Sequence, residues 1–148
     1  MKMRSFVFIP AVLLFISCNN KKPSQPAAPG PSSFVTCYQY ITAKDTVQLK
    51  LIDVDKAITG TLVYKLFEKD RNKGTILGYI KDGLLVADYT FMSEGMQSVR
   101  QVVFKQDNDS FMEGYGEIEI KNDRASFKDI SSLKFDGPIK LLKVPCEK

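Results

Sequence analysis

The sequence predicts an all-β domain, built as a small antiparallel up-and-down barrel of about eight strands. Three observations support this fold class. Apolar and polar residues alternate in several short runs, which is the pattern of strands with one buried and one solvated face. Turn-forming residues separate these runs at short intervals. Two of the three cysteines lie near the two ends of the predicted domain, where they could join its first and last strands.

The alternating runs define the strands in chain order, after a first strand that contains Cys37. They occupy residues 47–51, 58–66, 76–80, 85–91 and 112–120. The dipeptide Asp82-Gly83 between two of these runs is the strongest hairpin signal, because it favours the turn of two-residue β-hairpins. Helical periodicity is weak throughout, and only residues 128–134 are compatible with a short helix.

Several short strands in residues 34–148 must bury one face of their sheet. A closed barrel, lipocalin-like or similar, achieves this, and a β-sandwich is the alternative. The cysteines favour closure, because Cys37 and Cys146 would connect strands that are neighbours in an up-and-down barrel. In an exported protein these two residues are expected to form a disulfide. Two free buried thiols are the alternative.

The first 17 residues have the composition of a secretory signal peptide. Lys2 and Arg4 provide positive charge, and the apolar residues 6–16 are too few to span a bilayer, which needs about 20. Residues 15–18, FISC, resemble the lipobox of bacterial lipoproteins, with phenylalanine where that family usually has leucine. The resemblance implies that the thiol of Cys18 is diacylglycerylated and that Cys18 becomes the mature N-terminus. The alternatives are an ordinary secreted protein with an unrelated cysteine, or an N-terminal core helix.

Residues 18–33 are predicted to be a lipidated N-terminus followed by a disordered linker. Segment 19–33 contains four of the seven prolines and no large apolar side chain. Two or three acyl chains on Cys18 would give stable membrane anchoring. In some Gram-negative groups an acidic cluster after the lipidated cysteine directs export to the cell surface, whereas the sequence here is Asn-Asn-Lys-Lys. We therefore expect a lipid-anchored protein of the outer membrane that faces the periplasm.

The composition excludes several kinds of chemistry. The sequence contains no histidine, so it can form neither a Ser-His-Asp triad nor a histidine-based zinc site. The net charge of +4 comes from basic residues at positions 2, 4, 21 and 22, and residues 34–148 contain 17 basic and 17 acidic residues. The predicted single domain, 34–148, is therefore neutral, and its charge does not indicate a nucleic-acid partner.

No metal site and no cofactor are predicted. Asp107, Asp109 and Ser110 begin like a calcium-binding loop, but Met112 and Ile118 stand where such a loop needs glycine and glutamate. Three glutamates share the face of the predicted strand 112–120 that we assign to solvent, where they would discourage aggregation of sheet edges. They are Glu113, Glu117 and Glu119.

The candidate ligand-binding residues are Asp88, Tyr89 and Arg100. Asp88 and Arg100 stand among apolar residues. Because buried charges are normally paired, a structural ion pair or a charge at the mouth of the barrel is the simpler interpretation. No catalytic residue is predicted, since the sequence has no recognisable combination of nucleophile and base. A carboxylate-based hydrolase that uses Asp88 or Glu113 is the alternative.

Four glycines fall on the inward faces of the predicted strands, at positions 60, 78, 114 and 116. Glycine lets a small barrel bend sharply and leaves room for large side chains such as Tyr89 and Phe91. An interior cavity for a small ligand is the alternative, although small barrels normally fill their interior with side chains.

The segments DYTF at 88–91, SEG at 93–95 and EGYGE at 113–117 resemble those of a group of small uncharacterised bacterial lipoproteins. The resemblance extends from Cys37 to Cys146 and implies a class of protein without a mechanism. We therefore expect an envelope lipoprotein whose β-barrel is a non-catalytic binding or structural module. The alternative is a lipocalin-like carrier of a small apolar ligand. The expected partners are the membrane, through Cys18, and a small apolar ligand or an envelope protein, with the oligomeric state left open.

Overall fold

The computed structural model describes residues 34–54 and 56–147. The predicted signal peptide, residues 1–17, and the lipidated linker, residues 18–33, lie outside the described residues. A short 3-10 helix, Ile130–Ser132, accompanies ten strands. The strands are β1 (Phe34–Ile41), β2 (Thr46–Val54), β3 (Ala57–Lys65), β4 (Asn72–Lys81), β5 (Leu84–Ser93), β6 (Met96–Asp107), β7 (Ser110–Glu113), β8 (Ile118–Lys121), β9 (Arg124–Phe127) and β10 (Lys140–Val144). In this part of the chain no helix has the length and apolar character needed to cross a membrane.

Eight of the ten strands close into an antiparallel barrel, which confirms the predicted fold class and excludes the sandwich. Around the barrel the order is β1-β2-β3-β4-β5-β6-β7-β10, and β10 pairs with β1 to complete the ring. Strands β8 and β9 form a hairpin outside this ring. Strand β9 joins the edge of β6 in parallel orientation, so the fold departs from a pure antiparallel meander at this one hairpin.

The hairpin predicted at Asp82-Gly83 joins β4 and β5. These two residues have φ values of 52° and 75°, and Glu94 and Gly95 between β5 and β6 have values of 50° and 80°. Left-handed conformations at both central positions are the geometry of a type I′ turn, whose twist matches that of the flanking strands. Glycine adopts this conformation without steric strain, which explains its place in both turns.

Side chains fill the interior of the barrel. Tyr38 of β1 and Phe111 of β7 pack edge to face, with ring centroids 4.9 Å apart. Other large, fully buried side chains come from β2, β3, β4, β5 and β6: Leu49, Leu62, Ile76, Tyr89 and Phe104. Such a packed interior argues against the lipocalin-like carrier, which would need a cavity along the barrel axis.

Gly60 lies where two strands approach too closely for a side chain. It pairs with Leu51 on β2 and with Ile76 on β4. A Cβ atom at this position would lie 1.8 Å from the carbonyl oxygen of Lys50. The glycine is therefore required by the curvature of the backbone, in agreement with the bending interpretation, and it does not mark a ligand cavity.

The prediction of a single strand over residues 112–120 is wrong. Strand β7 ends at Glu113, and β8 begins only at Ile118. Between them, Gly114 and Gly116 approach the side chains of Phe127, Leu133 and Phe135 rather than the barrel interior. The alternation continues through this break in the sequence, although the chain leaves the barrel there.

A small second apolar cluster covers the outer face of β5 and β6. Val86 and Val103 point outward and are buried by Leu133, which follows the 3-10 helix. Of the helix predicted for residues 128–134, only Ile130–Ser132 forms. Its N-terminal turn is held by Asp129, whose carboxylate accepts the backbone N–H of Ser131 at 2.8 Å. This cluster stabilises the connection between the outer hairpin and β10.

Cys37 and Cys146 form a disulfide, as the sequence predicts, with their Cα atoms 5.2 Å apart. Cys37 projects from the outer face of β1, because its neighbour Tyr38 is buried inside the barrel. Cys146 follows the end of β10 at Val144. The bond therefore lies on the outside of the barrel and connects the first strand with the last, which are paired neighbours.

Removal of the disulfide is expected to lower the stability substantially. The two cysteines are 109 residues apart, and in the chain-entropy description a loop of this length contributes about 4–5 kcal/mol. The double variant Cys37→Ser/Cys146→Ser should lose about this much free energy of unfolding in urea titrations. Dithiothreitol should destabilise the unaltered protein similarly and leave the double variant unchanged. Equal stability of the two proteins under oxidising conditions would contradict the prediction.

Gly60→Ala is expected to destabilise the barrel strongly, because the added methyl group collides with the backbone of β2. Relief of that collision requires β2 and β3 to move apart, so we expect a loss of about 3 kcal/mol or more in the free energy of unfolding. Thr61→Ala on the outer face of the same strand is the control, with an expected loss below about 1 kcal/mol. Comparable urea midpoints for the two variants would show that β3 tolerates a side chain at position 60.

Candidate functional site

Five polar side chains lie close together beside the end of β7, four of them inside the barrel and Tyr115, which is 42% exposed, at its rim. We term them the polar cluster: Tyr64, Tyr89, Arg100, Glu113 and Tyr115. They come from four strands of the barrel and from the segment that follows β7. The surrounding interior is apolar, so the cluster is the chemically distinctive part of the core.

Glu113 is buried, with 8% of its surface exposed, which overturns its assignment to the solvent face. Its cross-strand partner is Phe104, whose side chain is also inside the barrel. The hydroxyl of Tyr64 reaches across the barrel and donates a hydrogen bond of 2.6 Å to the Glu113 carboxylate. The Tyr115 hydroxyl donates to the other carboxylate oxygen at 3.4 Å. Alternation alone could not show that Glu113 is buried, because its main hydrogen-bond partner, Tyr64, lies 49 positions away in the sequence.

Burial controls the protonation of the cluster. Loss of hydration raises the pKa of Glu113, while its hydrogen bond from Tyr64 and the positive charge of Arg100 act in the opposite direction. Burial also raises the pKa of Tyr89 to about 12. The pKa values of Tyr64 and Tyr115 are raised by burial first and by the nearby Glu113 carboxylate second. The tyrosines are therefore neutral hydroxyl groups at physiological pH.

Arg100 is held inside the barrel by aromatic rings. Its guanidinium carbon lies 4.9 Å from the ring centroid of Tyr64, 5.4 Å from that of Tyr89 and 5.7 Å from that of Phe91. Such cation–π contacts stabilise a desolvated arginine by about 0.5–2 kcal/mol each. Its buried Nε atom has no hydrogen-bond partner in the described part of the chain, and the same is true of the Tyr89 hydroxyl.

The structure brings together two of the three residues predicted to bind a ligand. Tyr89 and Arg100 are cross-strand partners on β5 and β6 and both point into the barrel. Asp88 points to the outer face, where its carboxylate forms an ion pair with Arg124 of β9. Asp88 therefore lies on the outer surface of the barrel, beside the outer hairpin, and does not pair with Arg100.

A lateral cleft of about 240 Å³ reaches the polar cluster from the side of the barrel. It lies between β6 and the segment that follows β7, and the outer hairpin forms its far wall. Its lining includes Arg100, Val102, Glu113, Tyr115, Ile118 and Phe127. The cleft thus combines one cation, one carboxyl group and one phenolic hydroxyl with apolar walls, a composition typical of small-molecule sites.

A larger groove of about 480 Å³ lies on the outer face, beside the disulfide. Lys50, Val63, Pro145 and Glu147 are among the residues that line it. Neither of the buried polar atoms that lack a partner in residues 34–54 and 56–147 borders this groove. The lateral cleft is therefore the stronger candidate site.

The donors in the cleft suit hydrogen bonding better than metal binding. Within residues 34–54 and 56–147, no three histidine, cysteine or acidic side chains lie close enough together to hold a metal ion. The polar cluster includes a single carboxyl group, whereas acid–base hydrolysis of glycosides uses a pair. The cleft instead offers the N–H groups of Arg100 and the hydroxyl group of Tyr115 beside the single carboxyl group of Glu113. These groups can orient a bound polar group.

Glu113→Gln is expected to change how stability depends on pH. Because burial raises the pKa of Glu113 in the folded state, the folded protein binds this proton more tightly than the unfolded chain. The Glu113 contribution is therefore fully present below the unfolded-state pKa of about 4.3 and is lost as pH rises through the folded-state value. The stability of Glu113→Gln relative to the unaltered protein should be more favourable at about pH 7.5 than at about pH 4, as measured by urea denaturation.

The matched control for this experiment is Glu117→Gln. The Glu117 side chain is 81% exposed and pairs with Lys128 at the surface, so its removal should change stability by less than about 1 kcal/mol at either pH. A stability difference between Glu113→Gln and the unaltered protein that is constant with pH, or that is less favourable to the variant at pH 7.5 than at pH 4, would contradict the assigned direction of the pKa shift.

Comparisons with protein-family models, curated proteins and solved structures find no match to this chain. A barrel of this kind is compatible with many functions, because function depends on the site and not on the fold. The chemistry of the lateral cleft, together with the sequence of the N-terminal region, is therefore the basis for assigning a function.

Proposed function

We propose that this chain is an exported bacterial lipoprotein of the outer membrane, anchored by acyl chains on Cys18. Its barrel is a non-catalytic binding module that faces the periplasm. The N-terminal sequence supports the anchor, since positive charge, a short apolar segment and a small residue before cysteine occur in the order that a lipoprotein signal requires.

The disulfide is the observation that carries the proposal. Disulfides persist in oxidising compartments such as the periplasm and are rare in the reducing cytosol. The Cys37–Cys146 bond uses two of the three cysteines. Cys18 is therefore the remaining thiol, and it stands where the lipobox resemblance places the acylated residue.

The lateral cleft favours a binding role over a purely structural one. Buried polar atoms are usually satisfied, and an unpartnered one needs a reason such as a bound molecule or an ordered water. Arg100 provides such an atom and also borders the cleft.

The non-catalytic character is inferred from the chemistry of the cluster. Its tyrosine pKa values are raised by burial, which is opposite to the activation that a nucleophile or base requires. Glu113 is engaged by two tyrosine hydroxyl groups. A general base must be free to take a proton from its substrate, so these bonds disfavour the carboxylate-based hydrolase.

Cys18→Ser is expected to abolish acylation and release the protein from membranes, because serine offers no thiol for lipid attachment. In a Gram-negative host, the unaltered chain should incorporate a labelled palmitate analogue and sediment with the outer membrane. The variant should carry no label and remain in the soluble fraction after lysis. Both properties can be read from one fractionation by gel fluorescence and immunoblotting.

Cys146→Ser is the matched control, since it also replaces a cysteine by serine but leaves the lipobox intact. It should retain the label and the membrane association despite the loss of the disulfide. Membrane association of Cys18→Ser without any label would overturn the proposed anchor. Protease treatment of intact cells then distinguishes the periplasmic orientation, which protects the chain, from surface exposure, which does not.

A further inference from the structure

Arg100 carries a charge that the described part of the protein does not pair. None of the ion pairs within residues 34–54 and 56–147 includes this residue, and its Nε atom has no hydrogen-bond partner. The aromatic rings beside it supply electrostatic attraction to their faces, but they cannot accept the in-plane hydrogen bonds of a guanidinium group. Arg100 is partly buried, and a guanidinium group that has lost part of its hydration is stabilised by an acceptor, normally an anionic one.

Glu113 does not fill this role, because its carboxyl group is already committed. Tyr64 and Tyr115 donate to its two oxygens, and it lies beyond ion-pair distance of Arg100. The space beside Arg100 that remains open to a ligand is the cleft, which both residues border.

The wall of the cleft opposite the barrel is apolar. Strand β9 adds to β6 with Ala125 beside Arg100, so the inner surface of the barrel continues onto the outer hairpin. The same face of the hairpin carries Ile118 and Phe127, which are cross-strand partners. Ile118 is 56% exposed although it borders the cleft. The surface from Arg100 outward thus changes from cationic to apolar.

We propose that the lateral cleft binds a small monocarboxylate with an apolar body, whose carboxylate pairs with Arg100. The planar guanidinium group is suited to a carboxylate, since two parallel N–H···O bonds match its geometry. The apolar body then covers Ile118 and Phe127. The volume of about 240 Å³ is below the range of about 300–1,000 Å³ that drug-sized ligands occupy, so the ligand is short. This inference rests on the proposed binding role and names the ligand class.

Hexanoate tests the proposal because it combines one carboxylate with a short alkyl chain. The protein is the full chain with Cys18→Ser, recovered from the periplasm, with the disulfide verified by mass spectrometry. Isothermal titration calorimetry should show saturable binding of hexanoate. Hexanamide has the same length without the charge, and acetate has the charge without the chain; both should bind at least about tenfold more weakly.

Arg100→Gln should weaken hexanoate binding at least about tenfold, the effect expected for a charge-assisted hydrogen bond. Arg124→Gln is the matched control, because Arg124 pairs with Asp88 on the opposite face of the sheet, and it should leave the affinity unchanged. If Arg100→Gln does not fold, Ile118→Glu tests the ligand position instead, since a carboxylate at the rim of the cleft should repel the ligand and weaken hexanoate binding. Leu142→Glu is its control: Leu142 is equally exposed, at 56%, but lies on β10 away from the cleft.

Absence of saturable hexanoate binding overturns the proposal, as does equal affinity for hexanoate and hexanamide. Unchanged affinity in Arg100→Gln, or equal effects of Ile118→Glu and Leu142→Glu, overturns the assigned position of the carboxylate. These results leave the membrane anchor untouched, because acylation of Cys18 is measured separately in cells. Conversely, hexanoate binding by the variant, together with no lipid label on the unaltered chain in cells, would support the cleft and refute the proposed anchoring.

Discussion

The difference in length between two neighbouring strands determines the architecture of this protein. Strand β6 has twelve residues and β7 has four, so β7 pairs only with the segment of β6 from Phe104 to Asp107. An uncovered strand edge leaves backbone groups unpaired, and β9 pairs with part of the remaining edge at Val99 and Arg100. The lateral cleft occupies the interval between these two partners of β6. The site is thus a consequence of incomplete pairing at one seam of the barrel.

The charged residue beside that seam explains the aromatic character of this part of the core. A guanidinium group loses hydration when it enters a small barrel, and rings that face it recover part of that free energy. Tyr89 and Phe91 are stacked with centroids 4.7 Å apart, and Tyr64 approaches Tyr89 edge on at 5.9 Å. The rings therefore form a continuous aromatic surface under Arg100. Tyr64, on the opposite side of the barrel, also bonds Glu113, so it contacts both the cation and the carboxyl group.

Most of the barrel could be predicted from local sequence, because strand alternation and two-residue turns are local properties. The Asp82-Gly83 hairpin and the pairing of Cys37 with Cys146 are examples. The site was only partly predictable. Tyr89 and Arg100 stood out as ligand candidates, but the burial of Glu113 depends on a tyrosine from a distant strand. Local sequence carries no information on such a contact.

The errors share a physical cause. Alternation shows that a strand has two faces but not which of them meets the core, and it does not show where a strand leaves the barrel. Asp88 lies on an outer face that the hairpin partly covers, so its apolar neighbours suggested burial. In segment 112–120 the glycines preserve the alternating pattern while the chain changes direction. The outer cluster around Leu133 adds a second buried surface, which a single-sided sheet does not have.

The position of the disulfide has a mechanical consequence. Tension applied at the N-terminal side of the domain pulls on β1 and begins to separate it from β2, one residue pair after another. Only the pairs of Phe34, Val35 and Thr36 precede Cys37 in that direction. At Cys37 the load passes through a covalent bond to Cys146, which follows the last strand of the same domain. A tether that enters at this strand can therefore pull the barrel as a whole, and it cannot peel the barrel open strand by strand.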